Sequence, residues 1–98
     1  MDPDLPSFTI ADVVVSTAGR DAGSLFYVLE TDGIWLTLVN GKDRRIEKPK
    51  RKKCKHAKKV LRSETRVAEK LRSGDKVLNS ELRRDLAYLS REMQSEVN

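Results

Sequence analysis

Apolar and polar residues alternate with a period of two through the first forty positions, and with a period near 3.6 after Val60. The β-branched run DVVVST from Asp12 predicts a first strand, stopped by AGRDAG, where Gly19 and Gly23 bracket a polar tip. SLFYVLE, Ser24 to Glu30, predicts a second strand. Asp32-Gly33 follows as a hairpin dipeptide, because a type I′ turn needs positive φ at both central residues. IWLTLV predicts a third strand with Ile34, Leu36 and Leu38 on one face and Trp35 and Thr37 on the other. Asn40-Gly41 marks another turn, and Arg44 to Glu47 suits a short fourth strand before Pro49. A lone hairpin buries too little surface to be stable, so three or four short strands point to a small twisted barrel.

Beyond the strands the period changes. Val60, Glu64, Val67 and Leu71 form one helical stripe, with Ser63 as its expected cap and Gly74 as its stop. A second helix starts at Asn79 or Ser80 and repeats Leu82, Leu86, Leu89 and Met93 on one face, with Arg83, Arg84, Asp85 and Arg91 on the polar side. The expected architecture is mostly β: an irregular leader over residues 1–9, a small barrel over 10–60, and a C-terminal helical tail of one or two helices over 61–98. With 38% apolar and 36% charged residues in 98, only a modest core is available. The tail's apolar stripe suits docking on the barrel or on a partner protein.

Charge changes this picture most between the two regimes. From Lys48 to Arg62 the chain places nine Lys or Arg in fifteen residues without one carboxylate. From Lys42 to Arg72 there are fifteen Lys/Arg against four Asp/Glu, which leaves five against eleven elsewhere. Such a run repels itself, so a polyanion is its simplest explanation, a solvated interaction tail being the plainer alternative. Lys and Arg neutralise phosphates with little sequence selectivity. The candidate RNA contacts are Lys42, Arg44, Arg45, Lys48, Lys50, Arg51, Lys52, Lys53, Lys55, Lys58 and Lys59, with His56 as a further donor and Arg20 projecting from the first turn. Tyr27 and Trp35 are the aromatics able to stack on bases, although small barrels have few other large side chains to fill their interiors.

Other chemistries find little support. The chain has one histidine and one cysteine, His56 and Cys54, against the four N or S ligands of a structural zinc site, so no metal or other cofactor is expected. The carboxylates Asp12, Asp21, Glu30, Asp32 and Asp43 sit at strand ends and turns with no spacing that singles out a catalytic pair. GRDAG lacks the lysine and the following helix of a phosphate-cradling loop. No catalytic residue and no small-molecule substrate are therefore expected. The longest uncharged stretches are too short to span a bilayer, and a lone cysteine without a signal-peptide pattern fits a reducing cytoplasm.

The segment DVVVSTAGRDAGSLFYVL resembles the KOW motif, a strand–turn–strand unit built around one glycine, and Gly23 of AGRDAGS matches that glycine. LVNGKDRRIEKPKRKKCKH resembles the segment that follows it in bacterial KOW-domain RNA-binding proteins related to KOW-containing large-subunit ribosomal proteins of archaea and eukaryotes. The likeness covers roughly residues 10 to 60. It implies an SH3-like barrel that binds RNA, usually ribosomal RNA, without catalysis. Gly19 and Gly23 would shape the loop, Arg20 would project from it, and Lys42 to Lys59 would lie along RNA. A protein-interaction adaptor and a transcription-associated KOW module are the alternative readings.

Overall fold

A computed structural model describes residues 7–96, with side chains to residue 94. Residues 1–6, most of the expected leader, lie outside the described residues. The alternating segments form three consecutive strands, β1 (Asp12–Ser16), β2 (Leu25–Thr31) and β3 (Trp35–Val39). Two further strands come from the cationic run itself, β4 (Lys50–Lys53) and β5 (Ala57–Arg62), joined by one 3-10 turn at Cys54–His56. All neighbours pair antiparallel in the order β4-β3-β2-β1-β5.

The two edges of this sheet are thus nearly adjacent in the chain. Five flat strands would hold the outer two about 19 Å apart, whereas the four steps from Lys53 to Ala57 reach at most about 14 Å. The sheet therefore curls, although β4 and β5 do not pair with each other. Its concave side is filled by Phe8, Val14, Phe26, Val28, Leu36, Leu38, Cys54 and Ala57. The convex side carries Ala11, Val13, Tyr27 and Val39 and is covered by helices α1 (Arg66–Ser73) and α2 (Asn79–Glu96). The middle of the sheet, at Val13, Val14, Phe26, Tyr27, Val28, Leu38 and Val39, is buried on both faces as a result. Val67, Ala68, Leu71, Leu82, Leu86 and Leu89 all belong to this second layer, so the C-terminal helices pack on the sheet instead of trailing from it. Each buried leucine contributes about 1.5–3 kcal/mol relative to exposure.

Three sequence expectations are corrected. Arg44 to Glu47 is not a strand: the Asn40 carboxamide accepts from Lys42 and Arg44 N–H, and Ile46 N–H donates to Asn79 Oδ1 at 2.9 Å, so the Arg44 and Ile46 donors go to side chains and not to a ladder. Ile34 lies in the β2–β3 turn, 65% exposed, and does not share the buried face of Leu36 and Leu38. Val60 and Glu64 precede α1, which is capped by Thr65 and not Ser63. The Thr65 hydroxyl accepts from Ala68 N–H at 3.2 Å, and Gly74 ends the helix in the left-handed region.

Ser63 has another task. Fully buried Tyr27 donates its hydroxyl hydrogen to Asp85 on α2, and its oxygen lies 2.8 Å from Ser63 Oγ and 3.3 Å from Thr65 Oγ1. Thr65 Oγ1 also donates to Asp85 at 2.8 Å. Burial, then the hydrogen bond to Asp85, pushes the Tyr27 hydroxyl up to about 12. One phenol thus ties the sheet, the β5–α1 link and α2 together. Tyr27→Phe keeps the ring but strips Asp85 and Ser63 of a partner, and is expected to lower the unfolding free energy by about 1–3 kcal/mol. Urea unfolding measures this as a lower midpoint at unchanged slope.

Candidate nucleic-acid interface

The pleat of β4 divides the cationic run into two sets with different partners. Lys50 pairs with Leu38 and Lys52 with Leu36, placing both on the concave face, whereas Arg51 pairs with Thr37 and Lys53 with Trp35 on the convex face. On the concave face Asp21 of the β1–β2 loop receives both lysines, Lys50 Nζ at 2.7 Å and Lys52 Nζ at 3.3 Å. Ser16 Oγ donates to the same carboxylate at 3.0 Å, and Lys52 also donates to the Ala18 carbonyl at 2.8 Å. Lys52 is only 7% exposed. These two cations hold the sheet's edge to the loop, a role that the charge pattern did not reveal. Gly19 and Gly23 both take positive φ in that loop, and Arg20 stands exposed at its tip.

Burial pushes the Asp21 carboxyl up, but hydrogen bonds from Lys50, Ser16 and Lys52 outweigh it and hold the group at about 2. A carboxyl lowered by folding stabilises the protein above its unfolded value, near 3.8, and that contribution is lost as pH falls through about 2. Asp21→Asn should therefore unfold at lower urea than the parent near neutral pH, and the difference should shrink as both are acidified from about pH 4 to about pH 2.

On the convex face the cations turn to solvent. The α-helices cover Tyr27 and Val39 but not the far end of β3, where Trp35 and Thr37 are only partly buried. The Arg51 guanidinium lies 4.8 Å from the Trp35 ring centroid and Lys53 Nζ lies 5.5 Å from it, both within cation–π range. Trp35 is therefore not a core residue, unlike Tyr27. Lys55 and His56 continue this wall from the 3-10 turn, and with Trp35, Arg51 and Lys53 they line a groove of about 290 Å³ that wraps the β4 edge to reach Lys50 and Lys52. The His56 carbonyl accepts from Thr17 N–H at 2.9 Å, tying the turn to the end of β1.

A bulge in β2 shapes the other side of the indole. Val28 pairs with Leu38 and Glu30 with Thr37, so Leu29 is the extra residue and Glu30 is returned to the convex face. Glu30, Asp32, Thr37 and Arg51 then line a second groove, about 340 Å³, against Trp35. Asp32 Oδ1 accepts from Ile34 N–H at 3.0 Å and Trp35 N–H at 2.8 Å, fixing the turn beneath the ring. Hydrogen bonds from Trp35 and Ile34 lead the causes that hold Asp32 below the usual carboxylate range. The bulge has no sequence signature, and nothing in the chain alone placed Glu30 here.

The remaining candidates are more dispersed. Lys58 and Lys59 are exposed on the opposite edge strand, where Lys59 pairs with buried Asp12 at 3.1 Å. Lys42, Arg45 and Lys48 are exposed and Arg44 partly buried in the β3–β4 loop, which is anchored to α2 by Asn79 and by Arg83 donating to the Gly41 carbonyl. Arg20, Arg44 and Lys50 border a further groove with Asp21 and Asp43. Among the described residues, Arg51, Lys53, Lys55 and Lys58 have no carboxylate within ion-pair distance.

No protein-family model and no curated protein matches this chain. Its chemistry is read from the side chains in place. Burial pushes the Cys54 thiol up, and its sulfur donates to the Gly33 carbonyl, which gives it the character of a packed side chain and not of a nucleophile. Among the described residues no three His, Cys, Asp or Glu side chains gather as metal ligands, and no helix is long and apolar enough to cross a membrane. What the convex edge can do is hold anions beside an aromatic surface.

Proposed function

We propose that this chain is a non-catalytic RNA-binding protein of the KOW class, that its curled sheet is an SH3-like barrel, and that it acts in the cytoplasm on ribosomal RNA. The observation that carries this reading is the convex edge. Arg51, Lys53 and Lys55 flank a partly exposed Trp35 without internal carboxylate partners among the described residues. Fixed cations on a strand, held by Asp21 from behind, meet phosphate without first ordering a flexible tail. The interface is thus narrower than the whole Lys42 to Lys59 segment: Lys50 and Lys52 position it, and the outward residues contact the ligand.

The adaptor alternative has the stripe of Leu82, Leu86, Leu89 and Met93 dock on a partner while the basic run meets an acidic protein surface. The three leucines are at most 9% exposed against the sheet and Met93 is partly buried, which leaves little of the stripe for a partner. A second reading has its own support in the topology. Lysines on edge strands block pairing with other sheets, and β4 and β5 are both edges. Glutamate would serve that purpose equally well, whereas it would repel RNA.

Cross-linking in cells followed by peptide mapping tests the proposal. Cross-links from ribosomal RNA to the peptide spanning residues 51–58, together with co-sedimentation with a ribosomal subunit, are expected. Cross-links confined to messenger or nascent RNA would favour the transcription-associated reading, and no RNA on this edge would overturn the proposal.

A further inference from the structure

We propose that Trp35 is a stacking platform for an unpaired base, so that the ligand of the convex edge is single-stranded RNA; this rests on the RNA-binding reading above. The indole stands as a wall between two grooves of opposite character. On one side Lys53, Lys55 and His56 present donors. On the other, Glu30 and Asp32 present carboxylates, with Thr37 beside them.

This asymmetry assigns the two parts of a nucleotide. Phosphate is drawn to the cationic groove and repelled from the one that holds Glu30 and Asp32. A neutral base suffers no such repulsion, and its amino and ring N–H groups are donors that the carboxylates accept. The second groove, about 340 Å³, falls at the lower end of the ~300–1,000 Å³ of small-ligand sites. Arg51 borders both grooves and lies over the ring, 4.8 Å from its centroid, so its planar guanidinium caps part of the indole and offers its own outer face to a base.

Several features fix the strand that carries the ring and its surroundings. Asp32 accepts from the Trp35 backbone N–H, Lys53 lies directly across the strand pair, and the β2 bulge supplies Glu30. A duplex keeps its bases within the stack and would meet this surface through its phosphates alone. A single strand can splay a base onto the indole. Stacking of one base on an aromatic side chain is worth about 1–3 kcal/mol, or roughly 5- to 150-fold in affinity.

The experiment compares an unstructured RNA oligomer with a blunt duplex of equal length, using the full chain, Trp35→Phe and Trp35→Ala, each checked for an unchanged circular dichroism spectrum. Trp35 is the sole tryptophan, so its emission reports directly on the site. The single strand should bind more tightly than the duplex and quench the emission. Trp35→Ala should lose about 10-fold or more on the single strand and little on the duplex, and Trp35→Phe should retain most of the parent's affinity. Equal binding of both RNAs by parent and Trp35→Ala alike would overturn the stacking role while leaving phosphate binding intact. Failure of the parent to bind either RNA would remove the reading on which the proposal rests, and the proposal with it.

Discussion

Replacing Arg51, Lys53 and Lys55 together with glutamate is expected to lower affinity for RNA by about 100-fold or more at low salt, with little change in the fold. Each exposed cation within about 4 Å of a phosphate gains roughly 1 kcal/mol in water, and reversal turns that attraction into repulsion. Loss of three such contacts therefore removes about 3 kcal/mol before the repulsion is counted, and 1.4 kcal/mol is a factor of ten. The cost to stability should be small, because these side chains are exposed: Arg51 and Lys53 give up a contact with the Trp35 ring, about 0.5–1 kcal/mol at such sites, and Arg51 its solvent-screened attraction to Asp32. RNA binding by anisotropy and unfolding by urea separate the two effects.

Lys52→Glu should do the reverse. It places a second carboxylate on Asp21 inside a 7% exposed site and is expected to unfold the edge, since breaking such a buried pair costs about 3–5 kcal/mol. A reversal that included Lys50 and Lys52 would lose RNA binding for the wrong reason. Equal RNA affinity of the Arg51/Lys53/Lys55 variant and the parent would contradict the assignment of the convex edge.

A comparable loss of stability is expected elsewhere, at Gly41→Ala. Gly41 adopts φ +75, and a Cβ there would overlap the Asn79 carbonyl oxygen and stand 3.0 Å from Leu82 Cβ. A left-handed alanine costs about 1–2 kcal/mol, and forced overpacking about 1–3 more. Together they approach half of the ~5–15 kcal/mol that holds a small domain. The β3–β4 loop cannot move aside cheaply, because its Gly41 carbonyl is held by Arg83 and its Ile46 N–H by Asn79. Calorimetry should show the melting temperature fall by about 10 °C or more. Gly23→Ala, at φ +91 with open space around the new methyl, should lose only the conformational part. A smaller loss at Gly41 than at Gly23 would contradict the close approach of loop and helix.

The parts of this fold that the sequence revealed are those with local causes. Strands β1 to β3 are short β-branched and aromatic runs that turn at glycines and fill two layers, and α2 repeats Leu82, Leu86 and Leu89 at helical spacing. β4 and β5 were hidden because an edge strand such as KRKK needs no apolar alternation when Asp21 supplies the partners for its inward lysines. Arg44 to Glu47 looked like a strand, but the groups that take its N–H donors lie partly 33 residues away at Asn79. Ser63 looked like a cap, but Tyr27 claims its hydroxyl. At the site, the sequence showed that cations were abundant. It did not show which ones the pleat would turn to solvent, nor that the helices would stop short of Trp35.

The most direct measurement is the association constant of the purified full chain for an unstructured RNA oligomer as salt rises from about 50 to about 200 mM, where each phosphate contact to a single strand adds about −0.7 to the log–log slope. Contacts from Arg51, Lys53 and Lys55, with one more from Lys58, lead to an expected slope of about −2 to −3. No association at the lowest salt, or an affinity indifferent to salt, would contradict a cationic edge built for RNA.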